Sequence, residues 1–274
     1  MHSRRENTPL PNDLLSPEHL QALLLSVMWP FARLSGFMIS APLFGHRSLP
    51  TPVRLLMAFG LALIIAPLVD SPPPVDVLGP AAVWQLALQM GVGLALGLVM
   101  RITFAIVEAA GEFIGLQMGL AFASFFSADT GTNTQVLSRL LGMLAMLLFL
   151  AFNGHLLVLE ILVTHFHEIP FDLRRMGPVG LENLLLWSAS LFSAGLLLAL
   201  PLVASLLAIN LAMGVLNRSA PQLSVFSIGF PLTLLLGIAM LWLMMPGMTD
   251  WLSLLFRQAL GAFQAVYEGL GTMP

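Results

Sequence analysis

The sequence predicts an all-α integral membrane protein with broken helices and long helical hairpins, and three observations carry this prediction. Apolar residues make up 58% of the 274 residues and charged residues only 9%, whereas soluble domains have roughly 25% charged residues. The apolar residues form six long blocks, and several of these blocks contain a proline. Because so few charges cannot cover a surface that faces water, most of the chain is expected to face lipid or other protein.

Three regions follow one another along the chain. Residues 1–19 form a polar tail whose two arginines are followed by acids and prolines, unlike a signal peptide. Residues 20–245 form the membrane domain, and residues 246–274 form an amphipathic C-terminal helix. The six apolar blocks of the membrane domain are residues 20–45, 53–69, 81–126, 140–164, 181–216 and 223–245.

The blocks do not correspond evenly to membrane spans, since about 20 residues cross a bilayer as a helix. The second block is short, and the third is long enough for two spans. Asn153 and Gly154 interrupt the fourth block. Prolines that bend or end helices lie within or beside the apolar runs, at Pro30, Pro42, Pro67, Pro201 and Pro231.

The basic residues give no simple topology. All eleven are arginines, and alternate connections between the blocks carry nearly equal numbers of them. A protein with six simple spans should show a clear difference between alternate connections. We therefore favour broken hairpins that are buried in a multi-subunit assembly over six independent spans.

The C-terminal helix has an apolar face and a polar face. Arg257, Gln264 and Glu268 share the polar face, and such amphipathic helices lie in the membrane interface or dock on a protein partner. The sequence leaves both alternatives open. The apolar residues recur at helical spacing, at Leu252, Leu255, Ala259, Phe263, Val266 and Leu270.

A stripe of small residues predicts a close helix–helix contact in the third block. Gly111, Gly115, Gly119 and Ala123 follow one another at intervals of four, which is the small-xxx-small pattern of membrane helices. Gly93 and Gly97 have the same spacing upstream.

Three charged residues share one face of the same predicted helix, at Arg101, Glu108 and Glu112. Charges inside membrane segments are costly and often functional. The arginine could instead neutralise a glutamate, because buried ion pairs are often structural. We favour a buried structural charge network, and a role in transport or proton transfer remains the alternative.

A polar loop follows this helix after three phenylalanines, Phe122, Phe125 and Phe126. It contains Asp129, Thr130 and Gly131, which are typical turn residues. An ordinary surface loop is the simpler interpretation. The alternative is a channel plug in which the phenylalanines form the apolar seal.

Nothing in the sequence indicates an enzyme or a cofactor. The absence of cysteine excludes disulfides and thiolate metal sites. The histidines form no metal-binding pattern, and no phosphate-binding, nucleophile or dinucleotide motif is present. The net charge of −3 gives no reason to expect nucleic acid as a partner.

Four segments resemble the FliR family of flagellar biosynthesis proteins, which belongs to the type III export apparatus. The most specific of them contains the turn GVLNRSAPQ, and the next contains GEFIGLQMGLAFASFFSAD. The four lie in the order expected for the family and cover nearly the whole chain, at residues 32–67, 111–129, 152–170 and 200–232. Injectisome export-gate proteins share this plan and are an alternative.

The resemblance implies a fold like a fusion of FliP-type and FliQ-type helical hairpins. It also implies a subunit of the export gate in the bacterial inner membrane, at the flagellar basal body, that helps form and close the channel. The expected partners are FliP-, FliQ- and FlhB-type subunits, membrane lipid and exported flagellar proteins in transit. The loop from Phe122 to Thr134 is then expected to help plug the channel.

The same resemblance suggests a role for the polar turn between the last two apolar blocks. Pro221 would end the first helix of a long hairpin, and Arg218 and Gln222 would hydrogen bond to helix ends or to a partner. A secondary transporter remains the main alternative of a different class, because broken helices and intramembrane glutamates suit it. A membrane-embedded enzyme would need a cluster of catalytic residues that the sequence does not show.

Overall fold

The structure, a computed structural model, describes residues 17–45, 49–68, 79–120, 136–164, 166, 177–219 and 229–271, and the regular secondary structure in these ranges is helical. This confirms the all-α prediction, and no strand lies within these ranges. The helices are α1 (Pro17–Ser40), α2 (Thr51–Ile65), α3 (Pro80–Gln117), α4 (Val136–Ala151), α5 (Gly154–Thr164), α6 (Pro178–Ser219) and α7 (Phe230–Gly271), and a 3₁₀ turn (Ala66–Leu68) follows α2.

Four of these helices are long and apolar enough to cross a membrane: α1, α3, α6 and α7. A fifth span is possible if α4 and α5, which are bent by 64° at a short break, count as one. The third apolar block, which is long enough for two spans, forms in its described part the single 38-residue helix α3. At 1.5 Å per residue α3 is about 57 Å long, nearly twice the roughly 30 Å of bilayer hydrocarbon.

Prolines and one asparagine set several helix ends. Pro80 and Pro178 are the first residues of α3 and α6, where the missing N–H has no helical acceptor to lose. The break between α4 and α5 lies at Asn153, which has a positive φ of 56°, a conformation that asparagine tolerates better than most residues. Pro30 and Pro201 lie inside α1 and α6.

The chain forms two compact units. Unit 1 consists of residues 1–98, 160–182 and 265–274, and unit 2 of residues 99–159 and 183–264.

In unit 1, α1 and α3 cross with their backbones in contact at three glycines. A Cβ atom on Gly93 would overlap the carbonyl of Arg33, and one on Gly36 would overlap the carbonyl of Met90. A Cβ atom on Gly97 would lie 2.7 Å from the carbonyl oxygen of Phe37. The small residues at 93 and 97 therefore allow the main chains to touch, as the spacing predicts.

In unit 2, aromatic rings hold α3, α4 and α7 together. Phe149 of α4 packs edge-on against Phe104 of α3 at 5.5 Å and against Phe256 of α7 at 5.1 Å between ring centroids. Such edge-to-face pairs contribute roughly 0.5–1.5 kcal/mol beyond the apolar area they bury. On α6, Trp187 donates a 3.2 Å hydrogen bond to the carbonyl of Val99.

Helix α7 runs without interruption through Pro246. The predicted boundary between residues 245 and 246 therefore lies inside one 42-residue helix. Arg257, Gln264 and Glu268 are exposed, as expected for a polar face. The apolar face is buried against the chain itself, at Leu252, Leu255, Ala259, Phe263, Val266 and Leu270.

Candidate functional site

A fully buried arginine lies in unit 1, on the apolar helix α1. Arg33 donates a 2.7 Å hydrogen bond from Nε to Gln89 Oε1 on α3 and another from Nη1 to the hydroxyl of Tyr267 on α7. Its guanidinium carbon lies 4.4 Å from the ring centroid of Phe166 and 5.6 Å from that of Tyr267. Aromatic faces and two neutral oxygens thus surround a permanent positive charge.

Hydrogen bonding around Arg33 is incomplete. Among the described residues, Nη2 of Arg33 and Nε2 of Gln89 have no acceptor, and the structure shows no carboxylate at ion-pair distance from the arginine. In the sequence, Arg33 is a charge inside the first apolar block, residues 20–45. A charge in an apolar segment indicates a special site. The sequence does not reveal its hydrogen-bond partners, because Gln89 and Tyr267 are 56 and 234 positions away along the chain.

The predicted charge network lies in unit 2, on one face of α3. Arg101, Glu108 and Glu112 are all exposed in the single chain, and no ion pair joins them to any described residue. Glu108 lies against Gly142 of α4, where an added Cβ would come within 3.0 Å of the carboxylate. Any burial of this network must therefore come from outside the described residues.

The predicted glycine stripe divides into two parts. Gly111 faces the backbone of α4, since an added Cβ would lie 2.5 Å from Cα of Ser138, and Ser138 Oγ donates a 2.9 Å bond to the carbonyl of Glu108. Gly115 is buried on the same helix.

Gly119 differs from its prediction as the third member of the stripe. It has a φ of 83° and lies beyond the last residue of α3. Its N–H bonds to the carbonyl of Leu116 at 3.1 Å, and the N–H of Leu120 bonds to that of Gly115 at 3.0 Å. These two bonds are the Schellman pattern that ends a helix at a left-handed residue. Gly119 therefore terminates α3, and Ala123 lies outside the described residues.

The channel-plug candidates and part of the hairpin turn also lie outside the described residues. These are Phe122, Phe125, Phe126, Asp129, Thr130 and Gly131 of the loop, and Pro221 and Gln222 of the turn. Arg218 is described, and it is exposed in the last turn of α6.

Much of the apolar surface of unit 2 is open. Along α6, large exposed side chains extend from Leu185, 70% exposed, to Leu216, 45% exposed. On α7, Trp242 is 78% exposed. An apolar groove of about 370 Å³ lies between α4, α6 and α7 and is lined by residues that include Leu141, Pro201 and Met244.

Comparison with known proteins gives a consistent result. The family described as bacterial export proteins, family 1, matches residues 24–259. The flagellar biosynthetic protein FliR of Escherichia coli (strain K12) is 43% identical over 230 residues, which cover 84% of this chain and 88% of that protein. FliR of Pectobacterium carotovorum is 41% identical over 220 residues, covering 80% and 83%. FliR of Bacillus subtilis (strain 168) is 34% identical over 216 residues, covering 77% and 82%. With matches of this extent to a helical membrane chain, the protein belongs to the FliR family of flagellar biosynthetic proteins.

Proposed function

We propose that the chain is a non-enzymatic subunit of the flagellar type III protein export gate. It helps to form and close the channel through which flagellar proteins are exported. Membership of the FliR family supports this function. The structural observation that carries it is the length of the exposed apolar face of α6.

That face is longer than a bilayer is thick. From Leu185 to Leu216 the exposed apolar side chains extend over 31 residue steps, which is about 46 Å along a helix. The hydrocarbon is roughly 30 Å thick, and a tilt of about 40°, the upper end of the usual range, lengthens the path to only about 39 Å. The hydrocarbon core alone does not cover the face, and in this proposal neighbouring protein subunits cover the remainder.

The neighbouring subunits in this proposal are of the FliP, FliQ and FlhB types, in the inner membrane at the flagellar basal body. Exported flagellar proteins pass through the assembled channel without chemical change. The loop from Phe122 to Thr134 serves as the plug of the resting channel, a role that rests on the sequence alone.

Purification of the chain in mild detergent tests the assembly. FliP- and FliQ-type subunits should co-purify with it in a stable complex. A lone monomer that binds a small solute would contradict the proposal and favour a secondary transporter.

A further inference from the structure

Among the described residues, no ion pair joins the exposed charges of α3 to a countercharge. We define the charged face as Arg101, Glu108 and Glu112, which are exposed on one side of the unit 2 part of α3. Arg101 is seven residues from Glu108, which is about 10.5 Å along the helix, and no ion pair joins their side chains. The two glutamates are four residues apart, where like charges repel.

No other cation of the described residues pairs with these glutamates. Arg139 on the neighbouring helix α4 is exposed as well, and the structure shows no ion pair between it and Glu108 or Glu112. Glu108 is held in place on one side, where Gly142 of α4 leaves room for its carboxylate. The open side of both glutamates is the surface of unit 2.

The surroundings of the charged face are apolar. Leu116, one turn beyond Glu112, is 53% exposed, and on α4 Met143 is 62% exposed and Leu147 63% exposed. Contiguous exposed apolar side chains of this kind mark a contact with protein or with the membrane. Whatever covers this surface removes water from the glutamates, and lipid chains offer them neither charge nor hydrogen bonds.

We propose that the charged face binds a membrane helix of another export-gate subunit, and that this helix presents a basic side chain to Glu108 and Glu112. The inference rests on the proposed function and names the chemistry of one partner. A second copy of this chain does not satisfy it. Two copies with the same orientation in the membrane would bring α3 helices together in parallel, with glutamate facing glutamate at the same height.

Charge removal provides the first test. The double variant Glu108→Gln, Glu112→Gln keeps the shape of both side chains and removes both charges. The variant would leave the basic side chain of the partner subunit buried without a countercharge. The amount of partner subunit that co-purifies with the chain should therefore fall about tenfold or more. The matched control is Glu182→Gln, an exposed glutamate at the start of α6, which should leave the yield unchanged. An unchanged yield for the double variant would overturn the inference.

Cysteine accessibility provides the second test, because the native chain has no cysteine. Glu112→Cys introduces a single thiol into the charged face. A membrane-impermeant maleimide should label it in the purified chain alone and should label it at least about tenfold more slowly in the assembled complex, where a tightly packed partner excludes water. Equal labelling in both states would identify a water-filled surface and contradict the inference. A disulfide between two copies of the chain would contradict it in favour of self-association.

Export in living cells separates this inference from the proposed function. If the wild-type chain supports export and the double variant assembles normally, only the inference fails. If the wild-type chain has no role in export, the proposed function fails, whatever the variants do.

Discussion

Arg33 shows how a single buried charge ties together three helices of unit 1. Its hydrogen bonds reach α3 through Gln89 and α7 through Tyr267, and the ring of Phe166 covers its guanidinium. A desolvated cation over an aromatic face gains about 2 kcal/mol or more. Because no described carboxylate pairs with Arg33, its two neutral hydrogen-bond acceptors contribute more to its stabilisation than they would beside an ion pair.

We expect Tyr267→Phe to weaken this site selectively. The substitution keeps the ring and removes the hydroxyl acceptor, which leaves Nη1 of Arg33 buried without a partner. The free energy of unfolding should fall by about 1–3 kcal/mol, seen as a lower melting temperature in detergent. Arg257→Gln, which changes an exposed arginine on the same helix, serves as the control and should have little effect. An unchanged melting temperature for Tyr267→Phe would show that this hydrogen bond does not stabilise the fold.

Gly93 and Gly60 form a matched pair of glycines in apolar helices. A Cβ on Gly93 would overlap backbone atoms of Arg33 and Phe37, whereas one on Gly60 would meet no atom within 4 Å. Gly93→Ala should therefore separate α1 from α3 and reduce the amount of folded protein strongly, since backbone cannot move as a side-chain end can. Gly60→Ala should be neutral or slightly stabilising. Size-exclusion profiles of the two variants test this, and equal profiles would contradict the contact.

Among the helices, the C-terminal end of α3 is fixed by the local geometry of one glycine. Gly119→Ala places a Cβ in a left-handed conformation and should cost about 1–2 kcal/mol. Gly261→Ala is the control, because Gly261 lies inside α7 with open space around it. Thermal unfolding of both variants gives the comparison. If Gly119→Ala were as stable as Gly261→Ala, the Schellman turn would not be what ends the helix.

The proposed plug makes a separate prediction for the loop after α3. Changing Phe125 and Phe126 to Ala should make membranes leak ions or small solutes while the complex still assembles, because an apolar constriction excludes water and the change would admit it. Conductance or small-solute uptake in cells with the variant measures this. Unchanged permeability, with assembly verified, leaves an ordinary surface loop as the interpretation.

The sequence predicts local patterns of these helices better than their ends and partners. The buried face of α7 follows from a 3.6-residue period, which is written into neighbouring residues. The end of α3 at Gln117 does not follow, because the apolar block continues to residue 126. Gly119 has the spacing of a packing stripe but a turn conformation. The neighbours of Arg33 depend on long-range packing, which no local pattern records.

For the whole molecule, the decisive feature is the apolar surface that the described residues leave uncovered. Only 22% of the candidate membrane span of α6, and 11% of that of α7, is buried within the described residues. A soluble monomer with such a surface would aggregate. The surface is that of a subunit, and along α6 its length exceeds the thickness of the bilayer hydrocarbon.

The most direct test of the central claim is export by the host cell after the gene for this chain is deleted. The account predicts that flagellar proteins disappear from the culture medium, that the cells lose motility, and that the wild-type gene supplied in trans restores both. Flagellar proteins appearing in the medium at wild-type levels after deletion would contradict the assignment of this chain to the export gate.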